Sequence, residues 1–175
     1  MKKLMTIGVF FLALVGCSSS IDDYKATTPA FNLFEYFEGD VKAWGMVQDY
    51  TGKQTRRFEV DIIGTVEGNV ITLDEDFVFD DGELQNRVWT ITRLEDGTYQ
   101  GTAGDVVGMA TGSEQGNALN WVYDLSVEVG DSTYVLTLDD WLFRQDEKRA
   151  FNLTSMKKFG IEVGRLSIFF EKQDD

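Results

Sequence analysis

The chain has no histidine, one cysteine and one proline in 175 residues, and only 16 basic residues against 30 acidic ones. Each shortage closes off a class of chemistry. Without histidine there is no imidazole general base and no triad built on one, and no zinc site of the usual kind. One cysteine cannot form a disulfide within the chain. A formal net charge of −14 argues against nucleic acid, whose binders carry basic patches. With Pro29 as the sole proline, nothing after it interrupts a strand ladder.

What is present begins with Lys2 and Lys3, followed by 13 apolar or small residues from Leu4 to Gly16. A membrane-spanning helix needs about 20, so the run reads as the apolar part of an export signal. It ends in Leu14-Val15-Gly16-Cys17, which resembles the bacterial lipobox. That resemblance implies cleavage before Cys17 and a diacylglycerol thioether on its sulfur. The thiol is the only nucleophile there suited to that bond, and Gly16 presents no bulk to the peptidase. Acylation also accounts for a lone cysteine in an oxidising envelope, where thiols usually pair. Stable anchoring takes more than one acyl chain, which a lipidated cysteine supplies. Ser18 rather than Asp follows the cysteine, which by the Gram-negative sorting rule goes with the outer membrane, the domain facing the periplasm.

Residues 1–16 are therefore expected to be a signal peptide, 17–28 a lipidated polar tether and 29–175 a single domain. The 159 residues from Cys17 onward carry 14 basic and 30 acidic residues, a net charge near −16. A domain of that size buries about 70% of its unfolded surface and needs no covalent staple. Thr28 and Pro29 fit the start of a helical turn. Phe31, Phe34 and Phe37 recur every three residues, which predicts one short plug-like helix.

From Val41 the period changes to two. Phe58, Val60 and Ile62 alternate with Arg57, Glu59 and Asp61, and Leu119, Trp121, Tyr123 and Leu125 alternate with Asn120, Asp124 and Ser126. Turn signals such as Thr51-Gly52, Asp80-Asp81-Gly82 and Gly130-Asp131 separate short segments of this kind. The pattern predicts an all-β, antiparallel up-and-down barrel of eight to ten strands, because closure removes both sheet edges. One register places Leu119, Trp121, Tyr123 and Leu125 inward together.

The stretches "EYFEGDVKAWGMVQDYTGKQTRRFEVDIIG", "LDEDFVFDDGE", "DDWLF" and "KFGIEVGRLSIFF" are similar to a family of bacterial lipoproteins known only as domain of unknown function 3833. The resemblance spans about residues 29–171. It implies a lipocalin- or calycin-like barrel in the cell envelope, with no activity or catalytic residue to carry over.

Ser155-Met156-Lys157-Lys158 matches S-x-x-K, but it lies in a strand pattern and no K-T-G follows. Asp74, Glu75, Asp76, Asp80, Asp81 and Glu83 crowd one stretch. Alternation sends Asp74 and Asp76 to one face and Glu75 to the other, so a solvated turn fits better than a calcium loop. Gly104, Gly108, Gly112 and Gly116 leave room for a ligand, an opposing ring or a close backbone. No catalytic residue, metal site or cofactor is expected.

Two functional classes lead, with a carboxylate-based enzyme a third. One is a lipid-anchored barrel that binds a fatty acid, lipid or other apolar ligand, lined by Trp44, Trp89, Trp121, Tyr123 and Trp141 with Arg87 as a polar anchor. The other is a structural or protein-interaction lipoprotein with a filled core. Interior volume separates them, since a lipid site needs several hundred Å³.

Overall fold

The computed structural model describes residues 19–174. A 3-10 turn, Ile21–Tyr24, and a five-residue helix α1, Leu33–Phe37, precede ten strands. These are β1 Gly39–Asp49, β2 Gln54–Glu67, β3 Val70–Phe79, β4 Leu84–Arg93 and β5 Tyr99–Thr102. There follow β6 Val106–Gln115, β7 Ala118–Val129, β8 Ser132–Arg144, β9 Arg149–Lys158 and β10 Ile161–Lys172. Each strand pairs antiparallel with its neighbours in sequence, and β1 pairs with β10 to close the barrel. No helix among the described residues is long and apolar enough to cross a membrane.

The two-residue period becomes the division between inside and outside. Val41 and Ala43 of β1, Val60 and Ile62 of β2, and Ile71 and Leu73 of β3 point inward and are buried. Leu119, Trp121 and Tyr123 of β7 do the same, with Leu125 packed against the core farther along.

One end of the barrel is plugged. Phe31, Leu33, Phe34, Tyr36 and Phe37 are all buried there, each large side chain contributing roughly 1.5–3 kcal/mol by leaving water. Phe37 meets Phe170 edge-on at 5.5 Å. The approach is close enough that a Cβ on Gly64 of β2 would sit 1.7 Å from the Phe37 carbonyl oxygen, so only glycine fits. Side chains then fasten the plug to the wall. The Tyr36 hydroxyl donates to the Lys148 carbonyl at 2.8 Å, and the Leu33 N–H donates to Glu114 Oε2 at 2.9 Å. Arg144 donates to the Ala30 carbonyl at 3.0 Å, and Lys172 donates to the carbonyls of Glu35 and Tyr36 at 3.0 and 3.2 Å.

Two expectations about the N-terminal region change. The helix starts at Leu33 with Asn32 as its cap, the Asn32 side chain accepting from the Glu35 N–H, and not at Thr28-Pro29. An asparagine side chain captures a free helix N–H, which Thr28 stands too far upstream to do. Residues 20–28, expected as a tether, instead fold against the outside of the barrel. Thr27 Oγ1 donates to Asn117 Oδ1 at 2.7 Å, and the Tyr24 ring lies 5.6 Å from Trp141.

Candidate functional site

Five polar side chains occupy inward positions around the middle of the barrel interior. Glu75 falls between Leu73 and Phe77 on β3, and Arg87 stands directly opposite it on β4. Tyr123 follows Trp121 on β7, Asp140 lies between Leu138 and Leu142 on β8, and Asn152 between Ala150 and Thr154 on β9. All five line a cavity of about 120 Å³ whose other walls include Trp89, Trp121, Phe58, Phe77 and Ile168. It sits inside the barrel between the plug and the hairpins at the far end.

The polar groups form one connected set. Arg87 Nε lies 3.1 and 3.0 Å from the two carboxylate oxygens of Asp105, and Nη2 lies 2.6 Å from Oδ2. Asp105 reaches in from the loop between β5 and β6. Glu75 Oε2 is 3.9 Å from Arg87 Nη1, with 13% of its side-chain surface still accessible. Thr154 Oγ1 donates to Asp140 Oδ1 at 2.5 Å, and the Asn152 amide and Tyr123 hydroxyl also lie against that carboxyl.

Burial sets the electrostatics. It pushes Glu75 up to about 7, the Arg87 charge opposing this while Asp105 and Asp140 reinforce it. The 3.9 Å ion pair is thus outweighed by desolvation, because Arg87 spends its best geometry on Asp105. Burial likewise raises Asp140 to about 6, against the hydrogen bonds from Thr154, Asn152 and Tyr123. The Tyr123 hydroxyl is held well above its ordinary range by burial and by Asp140. Burial works to discharge Arg87, yet Glu75, Tyr123 and Asp105 keep it charged. Three carboxyl groups therefore share one guanidinium in a largely apolar space.

One acceptor has no donor. Asn152 is 3% exposed, and its Oδ1 makes no hydrogen bond. Turning the amide over would bring Oδ1 against the Asp140 carboxyl, so the present orientation, amide N–H₂ toward Asp140, is the favoured one. A buried acceptor in that position normally finds a donor.

The aromatic walls explain part of the glycine series. Trp89 meets Trp121 at 5.6 Å and Tyr123 at 5.2 Å, both edge-to-face. A Cβ on Gly112 would come 2.4 Å from the Trp121 ring, so the space left by that glycine is filled by an opposing ring.

Of the residues expected in the pocket, Trp89, Trp121, Tyr123 and Arg87 line the cavity. Trp44 and Trp141 do not. Trp44 alternates with the inward Val41 and Ala43 and so faces out, stacking on Phe169 at 6.1 Å. Trp141 alternates with the inward Asp140 and Leu142 and lies outside beneath Tyr24. Cys17 lies outside the described residues. Glu75, Asp105, Asn152 and Thr154 were absent from the expected site. For Glu75 and Asp140 the signal was there, a carboxylate in phase with apolar neighbours.

The described fold extends a sequence match that covers residues 11–172, to the family described as Protein of unknown function (DUF3833). The chain belongs to that family. No curated protein matches it. Among solved structures it is similar to the S-type phycobiliprotein lyase CPES of Guillardia theta, at 9% sequence identity and a TM-score of 0.57. The similarity covers 81% of this chain and 92% of that one. At that identity the likeness concerns the fold, a lipocalin-like barrel, and not the site.

Proposed function

We propose that the domain is a small-molecule-binding barrel, tethered to the cell envelope through an acylated Cys17, whose ligand has a short apolar body and a neutral or cationic hydrogen-bond-donating end. Asn152, which lines the cavity and whose buried Oδ1 has no hydrogen-bond donor, carries this reading. A ligand N–H or O–H placed there satisfies that acceptor and can also reach the Asp140 carboxyl. The charge balance selects against an anion. A fatty-acid carboxylate entering the cluster would join three carboxyl groups around a guanidinium already bound to Asp105, and a buried unpaired charge is costly.

Size narrows the class further. About 120 Å³ lies below the 300–1,000 Å³ typical of drug-sized ligand sites, so a full lipid acyl chain does not fit the cavity as it stands. It suits a single ring or a short chain, since an apolar cavity near 150 Å³ holds benzene. The same small volume favours the second reading, a structural lipoprotein with a filled barrel. Likeness to a lyase that acts on phycobiliproteins supports the general use of such a barrel and names no ligand here.

Titration of the leaderless protein with hexan-1-ol, hexylamine and hexanoate, followed by tryptophan emission and calorimetry, tests the proposal. The alcohol and the amine are expected to bind at least about tenfold more tightly than the acid, a difference of about 1.4 kcal/mol. Asn152→Leu should remove the preference for the alcohol while keeping the emission of Trp89 and Trp121. Failure of all three to bind favours the filled barrel. The anchor is tested separately: Cys17→Ala in the producing cell should abolish lipid labelling and release the domain from membranes.

A further inference from the structure

The outer wall of the barrel is uneven. Trp44, Phe169, Phe151 and Phe143 occupy directly opposed positions on β1, β10, β9 and β8. They form a row of rings around the outside. Phe169 lies 6.1 Å from Trp44 and 5.2 Å from Phe151, and Trp141 stacks on Phe143 at 6.2 Å. Trp44, Phe151 and Leu153 retain 36%, 44% and 52% of their surface. Packing the interior does not require rings there, and contiguous exposed apolar area on a water-soluble barrel marks a surface that meets something.

Charge and chain position choose the partner. From Arg149 to Lys172, spanning β9 and β10, five basic residues face two acidic ones, a net charge of +3 in a chain of −14. From Gln54 to Arg93, spanning β2 to β4, four basic residues face nine acidic ones, a net charge of −5. Residues 39–49 and 132–172, which include all four strands of the wall, hold eight basic and eight acidic residues, so the rings sit on a wall without the net negative charge of β2 to β4. Ser19, the first described residue, lines the groove that also holds Trp141 and Leu153 on this same wall. That is two residues from Cys17.

We infer that the aromatic wall of β1, β10, β9 and β8 is a bilayer-docking face, on which the domain lies side-down against anionic lipid. Tryptophan and other aromatic rings partition to the membrane interface, and basic groups around them are drawn to anionic headgroups. The acidic wall of β2 to β4 is then turned toward water. The inference rests on the anchoring part of the proposed function, because a tether at residue 17 holds the wall near lipid.

The lone cysteine allows a test that does not depend on natural acylation. Leaderless protein beginning at Cys17 is coupled through its thiol to a maleimide lipid in vesicles of phosphatidylcholine and phosphatidylglycerol carrying brominated acyl chains. Bromine quenches only tryptophans that reach the acyl region. Two of the four tryptophans lie on this wall, Trp44 open and Trp141 beneath Tyr24, so quenching of about a quarter to a half of the emission is expected for an interfacial contact, and Trp44→Phe with Trp141→Phe should remove most of it. Phe151→Ser with Phe169→Ser should reduce it severalfold, with unchanged circular dichroism. Unquenched emission from the tethered protein overturns the inference. So does a dimer in free solution that the same serine substitutions dissolve, which would assign the face to a second copy of the chain. Either result leaves the fate of Cys17 in cells to its own labelling experiment.

Discussion

The two halves of the barrel interior differ in how buried polarity is met, although the plugged end also holds one unpartnered donor, Arg93 Nε beside Phe34. At the plugged end every fastening described above has a fixed partner, often a backbone carbonyl: Tyr36 to Lys148, Arg144 to Ala30, Lys172 to Glu35 and Tyr36. In the cavity beyond it, carboxyl groups outnumber the one guanidinium, two of them are pushed toward neutrality, and an amide oxygen has no donor. Polar groups whose partners are all supplied by the chain act as joints. Polar groups left short of partners in an apolar space are where an external molecule gains most by binding.

The largest expected effect breaks the plugged end. Arg144 is 8% exposed and donates to the Ala30 and Asp146 carbonyls, each at 3.0 Å, and to Glu35 at 3.2 Å. Arg144→Met fills much of the same space but leaves those acceptors unpaired. A loss of about 3 kcal/mol is expected, since hydrogen bonds to charged groups contribute more than neutral ones. Urea denaturation reads it as a lower midpoint, and a midpoint within error of wild type would show that the plug is held by its rings alone.

The cavity should respond in the reverse direction. Glu75 is raised from 4.5 to about 7 in the folded state. A carboxyl raised on folding contributes its stability fully below the unfolded value and loses it as pH rises through the folded one. Between about pH 4.5 and 7, Glu75 therefore costs the protein on the order of 3 kcal/mol. Glu75→Gln should be more stable than wild type at about pH 8 by that order, and indistinguishable from it near pH 4. Asp140, raised to about 6 by burial, works in the same sense, so the variant keeps part of the pH dependence. Thermal melts across this range decide the point, and a variant less stable than wild type at alkaline pH would mean that the pairing of Glu75 with Arg87 outweighs its burial.

Much of this arrangement was legible from alternation alone. Leu119, Trp121 and Tyr123 point inward as their spacing required, and Ser155 and Lys158 lie on strand β9, where S-x-x-K has no helix to act from. The division of Asp74 and Asp76 from Glu75 also holds: both aspartates accept from Asn86 on the outside, at 2.7 and 2.9 Å. The same rule, applied strictly, places Glu75 and Asp140 inside. A solvated-turn reading of the acidic stretch does not use the phase of the first, while on β8 phase separates Asp140 from its neighbour Asp139, which faces out to Lys157. Trp44 and Trp141 show the converse, since phase puts both outside despite their bulk and aromaticity. The clasp of Asp105 on Arg87 was not legible at all. It joins a loop to a strand across 18 residues, and no period in the sequence reports such a meeting.

The smallest expected effect lies at the far end, where the hairpin between β9 and β10 turns through Phe159 and Gly160. Both residues have positive φ, 52° and 79°, the geometry of a two-residue turn that favours Asn-Gly. Phe159 is the one non-glycine residue with positive φ among the described residues, and it is 95% exposed. The ring contributes little burial to offset its backbone conformation, which costs a non-glycine residue of order 1 kcal/mol or more. Phe159→Asn should therefore raise stability by about 1 kcal/mol, read as a higher urea midpoint. Binding of hexan-1-ol should not change, since Phe159 is not among the residues lining the cavity. A stability gain with unaltered binding separates the turn from the cavity. No gain would show that the contact of the ring with Lys158, whose Nζ stands 5.7 Å from the ring centre, repays the strain of the turn.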